Sequence, residues 1–125
     1  MTDPETYEVF ALRYASRDAR SHHHFIGGDP HNKPMPMDYF VWVVRSPERV
    51  FVIDTGFGEA EAKERDRKLL HRPASLLKKL DIDAAKVEDV IITHLHYDHA
   101  GTLDDFPKAR FHLQDSEIAF ATGRQ

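Results

Sequence analysis

Residues His94-Leu95-His96-Tyr97-Asp98-His99 place three imidazoles and one carboxylate within six positions. Imidazole nitrogen and carboxylate oxygen are the donors that hold zinc-like divalent ions. The run follows Val90-Ile91-Ile92, an apolar stretch that reads as a buried strand. A strand sends alternate side chains to one face, so His94 and His96 point the same way where it ends. The chain must then turn at Tyr97 to bring Asp98 and His99 into the same space, and Gly101 supplies backbone freedom close by. Four donors this crowded fit two ions side by side rather than one. The competing reading is a polar loop with a chance cluster of histidines. The strand end, the alternation and the adjacent carboxylate together weigh against it.

The elements that must position these residues can be read outward from the motif. Val87 to Thr93 is the strand that delivers it. Tyr7 to Ala15 alternates around Val9, Phe10 and Leu12 as a first strand. Residues 16–38, with Gly27, Gly28, Pro30, Pro34 and Pro36, form a long loop of the kind that often carries function. Tyr39 to Val44 and Val50 to Ile53 are strands joined by a hairpin-like connection at Arg45 to Arg49. Neither shows clean polar alternation, so both are expected to be buried on two sides. A charged helix is expected from Glu59 to Leu70, with Glu61–Arg65 and Glu64–Lys68 at i,i+4 spacing on a solvated face. Pro73 can open a second short helix reaching Leu80. Asp83 is a plausible N-cap for a turn through Lys86. Arg110 to Leu113 reads as a strand, and a closing helix begins near Asp115, where that carboxylate and Glu117 suit the positive end of its dipole. Strands alternating with helices give an α/β class.

Composition narrows the function classes. The 125 residues would ordinarily make one domain. The net charge of −4, with both signs interspersed, offers no basic field for nucleic acid. The chain has no cysteine, which removes disulfides, iron–sulfur clusters and thiolate zinc sites. Met1 to Glu8 lacks the pattern of a signal peptide, and no apolar run approaches the ~20 residues that span a bilayer. A cytoplasmic protein without membrane partners is the expectation.

Two further groups of residues invite comment. Asp54, at a strand end before Thr55-Gly56, either orients a ligand imidazole and braces the motif loop or serves as an Asx-type turn residue. His22, His23 and His24 are contiguous in a loop and cannot easily aim three rings at one ion, so a surface loop is the better reading. Tyr39, Phe40 and Trp42 are read as core packing, and His71 and His112 as structural.

Thr93-His94-Leu95-His96-Tyr97-Asp98-His99-Ala100-Gly101 resembles the signature of the metallo-β-lactamase superfamily, and Val52-Ile53-Asp54-Thr55-Gly56 resembles its earlier strand-to-turn motif. Gly27-Gly28-Asp29-Pro30-His31, Met35-Pro36-Met37-Asp38-Tyr39-Phe40-Val41-Trp42, Phe106 to Arg110 and Gln114 to Glu117 resemble the N-acyl homoserine lactonase group within it. The resemblance runs from about Tyr7 to the end of the chain. It implies the N-terminal half of an αββα sandwich, a mixed sheet with flanking helices, so that residues 1–125 form a single partial domain. Half of such a sandwich is expected to leave one sheet face uncovered.

By motif position the resemblance gives His94 and His96 to a first ion and Asp98 and His99 to a second. It implies two divalent ions, zinc first, holding a hydroxide that opens a lactone ring for quorum quenching, with Asp98 also moving a proton. The orienting role of Asp54 is favoured by it, and Phe25, Ile26 and His31 become candidates for the wall of the substrate pocket. Family members carry a further ligand histidine, a bridging aspartate and a last histidine downstream. The only later histidine here is His112, a poor match for any of the three. The expectation is therefore weak or no metal binding and no activity for these residues alone, with a complementary chain or a homo-oligomer as a conceivable partner. The rival readings are a glyoxalase-II-like thioesterase or phosphodiesterase of the same fold, and an inactive module that only folds or associates.

Overall fold

The computed structural model describes residues 6–18 and 36–121. Six strands make one mixed sheet. β1 (Glu8–Arg17), β2 (Met37–Arg45) and β3 (Val50–Ile53) pair antiparallel in succession. β4 (Lys68–Leu69) adds antiparallel to the end of β1, while β5 (Asp89–Ile91) and β6 (Arg110–His112) join parallel, giving the order β4-β1-β2-β3-β5-β6. The β2–β3 hairpin closes because the Ser46 hydroxyl accepts the amides of Glu48 and Arg49, and Ser46 N donates to Arg49 O at 2.9 Å. The helices are short: α1 (Glu59–Glu64), α2 (Pro73–Leu77) and α3 (Asp115–Ala121).

The side chains sort the sheet into two unlike faces. Val41, Val43, Val52 and Val90 point to one side and are buried against Leu76, Leu77, Ile82, Val87 and Phe106. Each such aliphatic side chain is worth about 1.5–3 kcal/mol of transfer free energy when fully buried. On the other face the register aligns Val9 with Val44, Val44 with Phe51, Trp42 with Ile53, and Ile53 with Ile91. None of these residues is fully buried, and Val9 is 67% exposed. The expectation that β2 and β3 are buried on two sides is thus corrected: each alternates, with one face covered by helices and the other half-open.

The long charged helix is also shorter than its pattern. It stops at Glu64, because Asp66 takes a left-handed φ of 54° and the chain then pairs Lys68 and Leu69 with β1. Glu61 and Arg65 make their i,i+4 pair at 2.9 Å, but Lys68 lies in a strand beyond the helix. Pro73 opens α2, a 3-10 turn continues from Lys78 to Leu80, and the Asp83 side chain accepts from Ala85 N at 3.0 Å ahead of a turn over Ala84–Lys86. The first strand extends through Arg17 and the second starts at Met37, so the expected loop is shorter at both ends. Most of it, with Phe25, Ile26, His31 and the His22–His24 run, lies outside the described residues. Among the described residues no helix is long and apolar enough to cross a membrane.

Candidate metal centre

The parallel pairing of β3 and β5 brings their carboxyl ends level, Ile53 beside Ile91, so the residues that follow meet at one edge of the sheet. Clefts beyond the carboxyl ends of parallel strands are where open α/β sheets bind ligands. Asp54 turns there with a left-handed φ of 64°, its amide donating to Ile91 O at 2.8 Å. Its carboxylate has no exposed surface, yet it is well satisfied. It accepts from Thr93 N at 2.8 Å, from Thr93 Oγ1 at 2.8 Å, and meets His99 Nδ1 at 2.6 Å. The next residues continue as a bed for the motif loop. Thr55 N donates to His99 O at 2.8 Å, and Gly101 N donates to Gly56 O at 2.8 Å. A Cβ on Gly101 would lie 2.5 Å from both Gly56 O and Tyr97 O, so this approach requires glycine.

The motif itself lies just past β5, in extended and then turned chain rather than within the strand. His99 N and Ala100 N both donate to His96 O at 3.0 Å, which is the turn expected at Tyr97. One donor atom each from His94, His96 and Asp98 lies within 4.8 Å of the others. The His94 ring sits edge-on to His96 at 4.5 Å between centroids, and 3.9 Å from His99. His99 Nε2 lies 3.3 Å from Asp98 Oδ2. A carboxylate at Nδ1 places the proton there and turns the Nε2 lone pair toward the cluster. Nε2 and Asp98 Oδ2 then stand 3.3 Å apart as two lone-pair donors, an arrangement that a shared cation suits. The donor set and its convergence fit divalent metal ions.

Several contributors were not singled out from sequence. The Tyr14 hydroxyl donates to Asp98 O at 2.9 Å from 84 residues away. Burial is the main cause that pushes its ionisation well above the ordinary tyrosine range, with the Asp98 charge adding to it. Glu117, read from sequence as a helix-dipole residue at the end of the Gln114–Glu117 resemblance, accepts Leu95 N at 2.8 Å between His94 and His96. Tyr97 turns away from the cluster, packing on Phe57 at 5.5 Å while the Arg65 guanidinium lies 3.8 Å from its ring centre. Arg67 Nε donates to its hydroxyl at 3.2 Å. Thr102 Oγ1 donates to Thr55 O at 2.7 Å and ties the chain beyond Gly101 to the same bed. Each of these joins elements distant in sequence, and none carries a local spacing signal.

His112 Nε2 is paired with Asp89 across the β5–β6 ladder at 3.0 Å. A cleft of about 790 Å³ is lined by charged residues such as Glu48, Arg49, Lys86 and Arg110, and none of the motif side chains lines it.

A family model described as the metallo-beta-lactamase superfamily matches residues 35–116. The N-acyl homoserine lactonase AiiB of Rhizobium rhizogenes is 38% identical over 52 residues, covering 38% of this chain and 19% of its own length. The acyl-coenzyme A thioesterase MBLAC2 of Bos taurus is 33% identical over 85 residues, covering 66% of this chain and 29% of its own. Among solved structures, that of AidC, a dizinc quorum-quenching lactonase in complex with a product, aligns with a TM-score of 0.75 at 20% identity. The alignment covers 99% of this chain and 47% of that one, and it shows a shared mixed sheet with flanking helices. The chain spans less than a third of the length of the curated relatives it matches.

Proposed function

The chain belongs to the metallo-beta-lactamase superfamily, and on that footing we propose that the protein carrying it is a metal-dependent hydrolase that opens a lactone ring. An N-acyl homoserine lactone or similar small lactone is the proposed substrate. The observation that carries the metal chemistry is the convergence of His94, His96 and Asp98 donors within 4.8 Å, with His99 packed against them. The choice of a lactone is supported by the 38% identity to a lactonase.

His94, His96, Asp98 and His99 are the residues that would hold the ions, and their nitrogen and oxygen donors favour zinc. When bound, divalent ions acidify water to a nucleophile at neutral pH and polarise the carbonyl under attack. The chain's own residues divide the remaining work. Asp54 holds His99 through Nδ1 at 2.6 Å and keeps Nε2 aimed into the cluster. Asp98, with Oδ2 3.3 Å from His99 Nε2, would both share in ligation and take up a proton to return it to the leaving oxygen. The Asp54–Thr55–Gly56 bed keeps the motif turn from relaxing, which holds the donors in place before substrate arrives.

A second reading, thioester hydrolysis, is favoured by the match to a thioesterase over 66% of the chain. Both reactions attack an acyl carbonyl, and they differ in the leaving atom, oxygen against sulfur. Zinc-loaded protein should be assayed by pH-stat with N-hexanoyl homoserine lactone and, in parallel, with an acyl-coenzyme A. A kcat/KM at least tenfold higher for the lactone is expected. A preference for the thioester would overturn the lactone assignment and leave the hydrolase class standing.

A further inference from the structure

Tyr14 is the extra residue of a bulge in β1. Arg13 pairs with Phe40 and Ala15 with Tyr39, leaving Tyr14 between them without a partner in the β2 register. A bulge re-aims a side chain, and bulges recur beside active sites. Here the consequence is visible in burial, since both Tyr14 and Ala15 have no exposed surface where strict alternation would bury one. The Tyr14 ring points along the helix-covered face toward the end of the sheet that carries the motif.

We propose that Tyr14 is a positioning residue for the metal-binding turn, its hydroxyl acting with Thr55 to fix the two peptide planes that flank His99. The proposal rests on the metal-centre reading above. A trans peptide leaves two soft dihedrals per residue, so a residue whose preceding and following peptide planes are both held has its φ and ψ set. The peptide before His99 is held where Tyr14 Oη donates to Asp98 O at 2.9 Å. The peptide after it is held where Thr55 N and Oγ1 donate to His99 O at 2.8 and 3.3 Å. With Asp54 on its ring at 2.6 Å, His99 is held at three points, and the Asp98 side chain departs from the first of the pinned planes.

The anchor is rigid enough for this task. Phe57 lies edge-on to the Tyr14 ring at 5.1 Å and Tyr39 lies at 6.2 Å. The Tyr14 carbonyl accepts from Leu70 N at 2.8 Å and His71 N at 3.1 Å, which fastens the bulge from outside. Gly56 makes room: a Cβ there would lie 2.7 Å from Tyr14 Cζ.

The test is the Tyr14→Phe substitution, which removes the hydroxyl alone. Zinc affinity by competition with a chromophoric chelator and the visible absorption of the Co²⁺-loaded protein are measured beside urea stability. Groups that orient metal ligands typically contribute 10–100-fold to metal affinity, so a drop of about tenfold and a shift of the Co²⁺ bands are expected. Leu77→Ala, a destabilising change in the core, should leave affinity and spectrum unaltered. If Tyr14→Phe lowers stability but leaves both metal readouts as they were, Tyr14 only fills the core and the proposal fails while the metal centre stands. If the unaltered protein that carries this chain takes up neither ion, both readings fall together. Should Tyr14→Phe not fold, Thr55→Val removes the companion hydroxyl, and an unchanged affinity there likewise overturns the proposal.

Discussion

Replacing Asp54 by asparagine separates the carboxylate's chemistry from its shape. Asparagine is nearly isosteric and tolerates the left-handed φ of 64° found at this position, so the backbone is not the variable. The two carboxylate oxygens receive three donors, Thr93 N, Thr93 Oγ1 and His99 Nδ1, at 2.8, 2.8 and 2.6 Å. An amide has one acceptor and one donor group, so at least one partner must meet an NH₂ instead. With no exposed surface at Asp54, water cannot make good the loss. A buried group left unsatisfied costs about 1–3 kcal/mol, and that is the expected fall in urea-measured stability.

If the NH₂ faces His99, the imidazole must shift its proton from Nδ1 to Nε2, which removes the donor lone pair from the cluster. Zinc affinity, read by chelator competition, should therefore fall about 10–100-fold. Asp54→Ala adds a left-handed backbone penalty of about 1–2 kcal/mol and should be the less stable of the two. The reasoning is refuted if Asp54→Asn keeps zinc affinity within twofold of the parent and stability within about 0.5 kcal/mol, the scatter of an ordinary surface change.

Two more outcomes follow from the same packing. Gly101→Ala drives a Cβ to 2.5 Å from two backbone oxygens that cannot rotate away, so a loss of about 3 kcal/mol, the upper end for overpacking, and a displaced motif loop are expected; a variant as stable as the parent would show the loop to be slack. The Tyr14 hydroxyl ionises above its unfolded value of 10.0 because burial, then the Asp98 charge, disfavours phenolate. Its contribution is complete below about pH 10 and is lost as pH rises from there toward the folded value, so alkaline denaturation of Tyr14→Phe should be shallower than that of the parent over this window; identical slopes would contradict it.

The metal motif was legible because its information is local: donor types, their spacing and the apolar strand ahead of them all lie within a dozen residues. The strand end left Asp54 open to an orienting or a turn role, the resemblance favoured the first, and the structure sets its carboxylate against His99 Nδ1. What escaped was long-range. The bulge at Tyr14 inserts one residue into a regular pattern, and its partner Asp98 is 84 positions away. Helix periodicity from Glu59 onward ran through Asp66, because nothing local announces that Lys68 and Leu69 will be captured by β1. The strands β2 and β3 looked apolar on both faces, yet helices cover one face only, which a hydrophobic pattern cannot distinguish from full burial.

The central claim is that the motif side chains clasp divalent cations. A crystal of the protein that carries this chain, grown with zinc, with data collected on both sides of the zinc absorption edge, addresses this without recourse to activity. Anomalous density bounded by His94, His96, Asp98 and His99, with Asp54 still bonded to His99 Nδ1, is the predicted result. Zinc bound elsewhere while these side chains stay unliganded would contradict it.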